Sequence, residues 1–399
     1  MVNRPLAGLR LLDLTRFVSG SWATALLGAL GADVIKVEVP PGDPYREQGT
    51  ERIAGRSALF LSLNQGKRSV ALDFRSPIAQ GAIGRLIEAS DMLVENSRPG
   101  ALARHGLDWE TVHERNPALV YGSISGYGDV GPDAAKGGFD LILQAESGLM
   151  SVTGEPRSGP VKVGAPVLDV GAGLSCALGL VAAHVERLRT GIGRRVSSSL
   201  FEFGLGSLST LAAGYLAGGE LPGLLGTHSP TFAPYGGFRT SDGWVVMAGA
   251  GSEEMWQRCC RALGVPELLD DERFRDNAAR VSNRDELTER LEVVLTSDTT
   301  DHWLKLLAAE GVPAADVKDL AQALGSDQAA ALGSVQEVPH PDLGVVRLVA
   351  PPLRFDGLAV TYTRPAPELG ADTRSVLVEV GMTPMEIDGL VEAGVAVAP

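Results

Sequence analysis

The sequence predicts an α/β protein in which a large Rossmann-like domain is formed by both ends of the chain and a smaller α+β domain lies in the middle. Three observations support this fold class. Strand and helix patterns alternate over residues 1–125, a segment rich in proline and glycine follows at 218–238, and strand and helix patterns return after residue 326. A chain of 399 residues also exceeds the usual size of a single hydrophobic core.

The N-terminal part alternates between the periods typical of strands and of helices. We predict strands at 9–14, 33–38, 69–74, 91–96 and 118–125, with helices at 20–31 and 78–90. Strands connected through helices indicate a parallel sheet with right-handed crossovers. The first turn, LTRFVSGSWA, has no G-x-G-x-x-G pattern, so the sequence does not indicate the dinucleotide that such sheets often bind.

The rest of the chain divides at a predicted linker. Helical patterns occupy 138–150, 171–189 and 200–218, and the linker rich in proline and glycine follows at 218–238. Beyond it we predict a hairpin turning at Asp242–Gly243, and then helices at 252–263, 284–296 and 299–310. The predicted domains are therefore 1–217 (large), 239–325 (small) and 326–399 (returning to the large domain).

Composition limits the possible classes of partner. The chain is 44% hydrophobic and 21% charged, as expected for a soluble globular protein. Its net charge of -14 argues against nucleic acid or an anionic membrane as a partner. The N-terminus lacks the apolar region of a signal peptide, and the apolar run Gly171–Ala183 is too short to span a bilayer. Three cysteines form no C-x-x-C pair. We therefore expect a cytoplasmic protein.

One carboxylate stands out within the apolar stretch at 164–188. Asp169 has no acidic neighbour until Glu186 and no basic neighbour closer than Lys162, and it precedes the helix predicted from Gly171. It could cap that helix by accepting backbone N–H bonds. It could equally be a nucleophile that attacks an activated carbonyl, with nearby N–H groups serving the developing oxyanion. The residues alone leave both interpretations open.

Eight segments in series resemble the class III CoA-transferases, the CaiB/BaiF family that includes formyl-CoA:oxalate and carnitine CoA-transferases. The resemblance covers essentially the whole chain. The segments are GLRLLDLTRFVSGSWATALLGALGADVIKVEVPPGDPYR, LNQGKRSVALDF, VENSRPGALARHGLDWE, SISGYGDVGP, GFDLILQAESGLMSVTG, VGAPVLDVGAGLSCALGLVAA, HPDLGVVRL and PAPELGADT. Each is a weak signal alone, whereas the ordered series is specific.

The resemblance implies a catalytic role for Asp169, which occupies the acid position of the family segment P-x-x-D-x-x-(A/G)-G in PVLDVGAG. The implied activity is transfer of CoA from an acyl-CoA to a carboxylic acid through an aspartyl anhydride and an aspartyl-CoA thioester. CoA and acyl-CoA would be substrates, with no tightly bound cofactor. The family forms interlocked homodimers, and we expect the same assembly here.

Contacts to CoA are expected from local basic residues, because its phosphates are anionic and the protein is acidic. Charge and glycine turns point to Lys67, Arg68, Arg98 and Arg104, although Arg98 could simply be solvated. The resemblance implies CoA binding by Asn96 and Arg104, and places the residues from Val18 to Gly20 in the same cleft. The predicted CoA-binding residues are Val18, Ser19, Gly20, Lys67, Arg68, Leu72, Asn96, Arg104 and Phe139. Lys36 and Glu38 could form an ordinary salt bridge with each other.

Two differences from the formyl-CoA transferases limit the range of expected acid substrates. Formyl-CoA transferases carry a glutamine where this chain has Val18, and their glycine loop corresponds here to Gly249, Ala250, Gly251 and Ser252, so oxalate is not the expected acid. That loop could act as a substrate lid or simply begin a helix with Ser252 as its N-cap.

Two other functions remain as alternatives. The related 2-methylacyl-CoA racemases carry a histidine where this chain has Phe139, which disfavours racemase activity. A non-catalytic CoA-binding protein is the second alternative. The six histidines form no metal-binding pattern.

Overall fold

A computed structural model describes residues 4–219 and 221–399. The strands, numbered along the chain, are β1 (Arg10–Asp13), β2 (Asp33–Glu38), β3 (Arg52–Ile53), β4 (Arg56–Ser57), β5 (Arg68–Leu72), β6 (Met92–Glu95), β7 (Val120–Ser125), β8 (Gly154–Glu155), β9 (Gly159–Pro160), β10 (Arg195–Ser199), β11 (Tyr235–Arg239), β12 (Trp244–Ala248), β13 (Ala314–Asp316), β14 (Val335–His340), β15 (Gly344–Val349), β16 (Arg354–Phe355), β17 (Leu358–Ala359) and β18 (Ala396–Val397).

The helices, numbered in the same way, are α1 (Ser19–Ala29), α2 (Ala58–Leu63), α3 (Gln80–Glu88), α4 (Trp109–Arg115), α5 (Asp140–Glu146), α6 (Val167–Thr190), α7 (Leu200–Ser207), α8 (Ser209–Leu216), α9 (Glu253–Leu263), α10 (Asn277–Ser282), α11 (Arg284–Leu295), α12 (Thr300–Ala309), α13 (Leu320–Leu324), α14 (Asp327–Leu332), α15 (Thr373–Glu379) and α16 (Pro384–Glu392).

The larger of two compact units contains a seven-stranded sheet with the strand order β10-β7-β6-β1-β2-β5-β18. All neighbouring strands are parallel except β18, which is antiparallel to β5. The predicted parallel sheet is therefore confirmed, and β10 and β18 are additions that short, weakly patterned sequences did not reveal. The strand order reverses at β1, which pairs with both β2 and β6. Ligands of open α/β sheets usually bind at such a switch point.

Helices cover both faces of this sheet, because successive strand residues point to opposite sides. Leu12 and Ile35 belong to a core shared with residues of α3, α15 and α16. Their neighbours Leu11 and Val34 belong to a second core shared with α1 and α6. Burial on both faces explains why Leu11 and Leu12 in β1, and Val34 and Ile35 in β2, are adjacent apolar residues and do not alternate with polar ones.

The smaller unit contains the antiparallel sheet β11-β12-β13. The hairpin predicted at Asp242–Gly243 is present, since Arg239 pairs with Trp244. The three helices predicted for this region correspond to α9, α11 and α12. Their apolar faces enclose a core that contains Phe238, Trp256 and Leu291.

The unit boundaries differ from those expected. The smaller unit comprises Met150–Lys162 and Leu211–Ser326, so it begins before the predicted linker. The segment predicted as a linker, 218–238, contains most of β11, and residues 150–162 carry the small β8–β9 hairpin. Glycine and proline mark turns within a unit as readily as connections between units, which is why composition misplaced this boundary.

Helix α6 is longer than the predicted 171–189, and Asp169 lies in its first turn. Among the described residues, α6 alone is long and apolar enough to cross a membrane by length and composition. Half of its most apolar window is buried inside the protein, as expected for a core helix. Helix α7 ends at Ser207 and α8 begins at Ser209, so the single helix predicted over 200–218 is interrupted.

Candidate active site

A cavity of about 350 Å³ lies where the strand order reverses. Its wall consists of the segments after β1, β6 and β7, the residues that precede α5, and the start of α6. This volume is within the range of small-molecule sites. The polar and charged residues that line the cavity are Arg16, Ser19, Tyr45, Gln48, Asn96, Ser97, Arg98, Ser125, Lys136 and Asp169.

Asp140, and not Asp169, caps helix α6. The Asp140 carboxylate accepts hydrogen bonds from the backbone N–H groups of Leu168 at 2.8 Å and Asp169 at 3.2 Å. The side chain of Gln144, one turn along α5, donates to the other Asp140 oxygen. The interpretation of Asp169 as a helix cap is therefore wrong. Its side chain lines the cavity, while an acid from another helix satisfies the first-turn N–H groups.

The surroundings of Asp169 favour its neutral form. Burial, followed by the negative charge of Asp140, raises the pKa of Asp169 to about 7, and a hydrogen bond from the Ser19 side chain partly opposes this rise. Burial and the charge of Asp169 also raise the pKa of Tyr45, which lines the same cavity. A carboxylate with a strongly perturbed pKa in a cavity is typical of a reactive group.

The turn between β1 and α1 forms one wall of the cavity. Phe17 in this turn has a φ of 61°, a left-handed conformation that is unusual for a bulky residue. A Cβ atom at Gly20 would overlap the Thr15 side chain, which explains the glycine in the first turn of α1. Ser19 begins α1 and lines the cavity. Val18 occupies the N-cap position and does not line the cavity.

Asn96 fixes the backbone of the same turn. Its side-chain oxygen accepts from the Arg16 N–H at 2.9 Å, and its side-chain nitrogen donates to the Arg16 carbonyl at 2.6 Å. This paired contact connects the segment after β6 to the segment after β1. Asn96 therefore has a structural role in the turn. It also lines the cavity, and its contact with CoA stays a prediction.

Aromatic and basic side chains form the remaining wall. The Phe17 ring meets the edge of Tyr45 with centroids 5.4 Å apart, and it lies 6.5 Å from the ring of Phe139. Arg16, Arg98 and Lys136 line the cavity and supply local positive charge in an acidic protein. Phe139 occupies the position at which the related racemases carry a histidine. It is an exposed apolar side chain and cannot transfer a proton.

Three predicted CoA-binding residues do not reach the cavity. Lys67 is fully buried, and its ammonium donates to Asp13, Asn64 and the Ser21 carbonyl. Arg68 forms ion pairs with Glu379 and Asp33. Leu72 is fully buried in the sheet. These predictions are corrected: the glycine turn next to Lys67 and Arg68 suggested exposed cations, but Lys67 and Leu72 are buried and Arg68 is held in ion pairs.

Two further predicted sites are not among the residues that line the cavity. Arg104 is exposed on a 3-10 turn and donates to His105 Nε2 at 3.0 Å, so its contact with CoA stays a prediction. The Gly249–Gly251 loop belongs to the smaller unit and follows β12. The Gly249 N–H donates to the Pro234 carbonyl, Ala250 is buried, and Ser252 caps α9 as anticipated. A lid movement of this loop stays a prediction.

Four residues at or next to the cavity were not predicted from the sequence: Asp140, Tyr45, Gln48 and Lys136. Asp140 directly follows Phe139 in the family segment GFDLILQAESGLMSVTG, so its place in that segment is a signal that could have identified it. Its capping bond spans 28 residues to Leu168, and a pattern in the sequence does not indicate a contact of that kind. Among the described residues, no cluster of histidine, cysteine, aspartate and glutamate side chains is arranged to hold a metal ion.

Comparison with known proteins identifies the family of this chain. The profile of CoA-transferase family III matches residues 6–373. Succinyl-CoA:glutarate CoA-transferase of Mus musculus is 36% identical over 94% of this chain and 86% of its own. Acetyl-CoA:oxalate CoA-transferase of Acetobacter aceti is 33% identical over 92% of this chain and 93% of its own. A CaiB/BaiF family protein from Brucella suis has a TM-score of 0.84 at 35% identity, covering 95% of this chain and all of that chain.

Fold and site define an α/β enzyme with a largely buried carboxylate in a cavity at the switch point of its sheet. The chain belongs to CoA-transferase family III. It is a CoA-transferase, and its substrates are CoA thioesters and carboxylic acids.

Proposed function

We propose that Asp169 is the nucleophile that carries CoA between an acyl-CoA donor and a carboxylic acid acceptor. The observation that supports this role is the assignment of the capping bonds to Asp140. Because the first turn of α6 is satisfied by another acid, the Asp169 carboxylate is available in the cavity for chemistry.

The proposed reaction has two symmetrical halves. A carboxylate oxygen of Asp169 attacks the thioester carbonyl, the C–S bond breaks, and a mixed anhydride and the CoA thiolate form. The thiolate then attacks the aspartyl carbonyl, which releases the donor acid and leaves an aspartyl-CoA thioester. The acceptor carboxylate attacks that thioester to give a second anhydride, and the returning thiolate forms the new acyl-CoA and regenerates Asp169. Covalent catalysis divides one difficult transfer into exchanges between similar groups.

A carboxylate suits this sequence of exchanges better than a hydroxyl or a thiol. A serine or cysteine would form an ester or thioester with the acyl group instead of an anhydride, and it has no carbonyl of its own to which the CoA thiolate could be transferred. The raised pKa of Asp169 means that burial destabilises its ionised form, and attack on the carbonyl relieves this cost because the charge leaves the side chain.

We propose short dicarboxylic acids as the acid pair. Relatives are named for succinate and glutarate, and another is named for mesaconate. The cavity contains Arg16 and Arg98, and a guanidinium group pairs well with a second carboxylate. Oxalate also occurs in a relative's name, but we place it behind the longer acids because this chain has Val18 in the turn.

A second copy of the chain is the proposed partner. Helix α6 has an exposed apolar stripe on the side opposite its buried face, formed by Leu174, Leu178, Val185 and Leu188. An apolar stripe of this length is typical of an interaction surface. This surface and the family resemblance support the proposed interlocked homodimer.

Trapping of the covalent intermediate tests the role of Asp169. The protein is incubated with succinyl-CoA, quenched with hydroxylamine, digested and analysed by mass spectrometry. We expect a hydroxamate at Asp169, because both the anhydride and the thioester react with hydroxylamine. Asp169→Asn should form none, whereas Asp388→Asn, which alters an exposed carboxylate on α16, should behave as the wild type.

The acid specificity is measured in the same way with other thioesters. Glutaryl-CoA should trap the same residue, and acetyl-CoA should trap it more slowly because it has no second carboxylate. An active wild-type protein that exchanges CoA without any adduct at Asp169 would contradict the proposed mechanism.

A further inference from the structure

Buried polar side chains of the larger unit have partners that the sequence does not indicate. The sequence suggested that Lys36 pairs with Glu38, but Lys36 pairs with Asp43 at 3.1 Å. Gln144 in α5 is a second case, because it has no exposed surface and both ends of its amide group are hydrogen-bonded. An amide group is costly to bury unless it is hydrogen-bonded, so the contacts of Gln144 show what it holds in place.

The backbone of Val163 fixes the orientation of the Gln144 amide group. A backbone N–H can only donate, so the side-chain oxygen of Gln144 accepts from the Val163 N–H, at 2.8 Å. The side-chain nitrogen therefore faces Asp140 and donates to its Oδ1. Asp140 and Gln144 are four residues apart on α5 and lie one turn apart on the same face. Gln144 thus connects Asp140 to the segment that leads into α6.

The two oxygens of the Asp140 carboxylate have different partners. Oδ1 accepts from Gln144, whereas Oδ2 accepts from the N–H groups of Leu168 at 2.8 Å and Asp169 at 3.2 Å. Hydrogen bonds to a charged group are stronger than neutral ones. Because the donor from Gln144 holds Oδ1, the carboxylate cannot rotate freely, and Oδ2 stays directed at the first turn of α6.

These contacts reach the backbone of the residue that lines the cavity. Val163 lies four residues before the start of α6 at Val167, and Asp169 lies in the first turn of that helix. The segment 163–169 is therefore held near both ends, by Gln144 directly and by Asp140. Asp169 lines the cavity, whereas Gln144 and Asp140 do not.

We propose that Gln144 is a positioning residue for the CoA-transfer reaction: it fixes the Asp140 carboxylate, which holds the backbone of Asp169 and so directs the Asp169 carboxylate into the cavity. This role rests on the proposed function of Asp169 as the nucleophile. Because Gln144 does not touch the cavity, its loss should alter the geometry of attack and leave the binding of the thioester unchanged.

Gln144→Met separates these two effects, because it removes both hydrogen bonds of the amide group at similar side-chain volume. The transfer of CoA from succinyl-CoA to glutarate is measured at pH 8, above the Asp169 pKa of about 7. We expect kcat to fall by about 10–100-fold, since a displacement of about 1 Å can have an effect of this size. KM for succinyl-CoA should stay within about three-fold of the wild-type value.

Gln65→Met is the matched control. Gln65 is also a fully buried glutamine of the larger unit, and its side-chain nitrogen donates to the Leu61 carbonyl at 2.6 Å. The substitution removes a buried hydrogen bond of the same kind, but at a residue that does not line the cavity. Its kcat should stay within about two-fold of the wild-type value.

Exchange of the two functional groups tests the contact itself. Asp140→Asn alone places two amide nitrogens face to face, because its oxygen is needed by the N–H groups of α6. Gln144→Glu alone places two carboxylates face to face. In the double variant the new amide donates to the new carboxylate, which still accepts from the Val163 N–H. We expect each single variant to lower kcat by about 10-fold or more, and the double variant to exceed both by at least about five-fold.

Circular dichroism establishes that each variant is folded, and if Gln144→Met is not, the exchanged pair carries the test. A folded Gln144→Met with the wild-type kcat, a loss confined to KM, or a double variant no faster than the better single variant would overturn the inference. Absence of a hydroxamate at Asp169 in the wild type would instead contradict the proposed function.

Discussion

Asp169 shows how one side chain acquires reactivity from its neighbours. The capping bonds of Asp140 bring a second carboxylate next to Asp169, and burial removes water from it. Together they raise the pKa of Asp169 to about 7, so part of the population is ionised at neutral pH. Placing this acid in the cavity costs stability, which is common at sites selected for activity.

Asp169→Asn should stabilise the protein at pH 8. Between about pH 4 and 7 the folded state holds a proton that the unfolded state has lost, so stability falls as the pH rises. Three pKa units correspond to about 4 kcal/mol, and contact of the carboxylate with solvent in the cavity reduces this. We expect a gain of about 1–3 kcal/mol in the free energy of unfolding at pH 8, measured with urea at fixed protein concentration.

The gain should disappear near pH 4, where the wild-type carboxyl is protonated in both states. Asp388→Asn, at an exposed ion pair, is the control and should show no such gain. An Asp169→Asn protein that is less stable than the wild type at pH 8, or equally stabilised at both pH values, would contradict this account.

At the scale of elements, the close packing of α1 against α6 sets the geometry of the site. Gly173 permits this approach, because a Cβ atom there would overlap the Ser19 carbonyl oxygen. Since Ser19 begins α1 and Asp169 lies in the first turn of α6, this contact sets the distance between the hydroxyl and the carboxylate. This helix–helix contact therefore brings Ser19 and Asp169 to the same cavity.

Gly173→Ala should lower both stability and the rate of adduct formation at Asp169. The added methyl group meets backbone, which cannot rotate away, and overpacking of this kind costs about 1–3 kcal/mol. The matched control is Gly81→Ala in α3, where the Cβ would meet open space, and higher helix propensity should raise stability by up to about 1 kcal/mol. Thermal unfolding and hydroxamate trapping measure the two effects. If Gly173→Ala had the thermal stability and the hydroxamate yield of the wild type, the close contact between α1 and α6 would not be needed for either property, and this account would be wrong.

At the scale of the whole molecule, two properties of the surface matter: its negative net charge and the exposed apolar stripe on α6. A net charge of -14 disfavours the approach of anionic CoA at long range, so we expect binding to depend on local cations, and Arg16, Arg98 and Lys136 at the cavity are the candidates. At the same time, the exposed stripe on α6 leaves apolar surface uncovered in a single chain. A second copy that covers this stripe would remove that surface from water.

Leu178→Asp should disrupt the proposed homodimer. Leu178 is 69% exposed at the centre of the α6 stripe, and a carboxylate buried there would be desolvated without a partner. We expect light scattering to give about twice 41.8 kDa for the wild type and a monomer or aggregate for the variant. Val293→Asp, at a similarly exposed apolar residue of α11, is the control. A wild-type protein of 41.8 kDa, or a dimeric Leu178→Asp, would contradict the proposal.

The sequence by itself determined the parallel sheet, the hairpin of the smaller unit and the position of Asp169 in a family motif. Those features depend on local patterns: β1 and β2 each contain adjacent apolar residues that are buried on opposite faces, and the Asp242–Gly243 turn needs only its own residues. Only the tertiary structure decided that Asp140 caps α6, that Asn96 holds Arg16, and that Lys67 and Leu72 face the interior. Each of these depends on contacts between distant segments, and the free energy of burial and pairing that selects them is fixed only when the whole chain has packed.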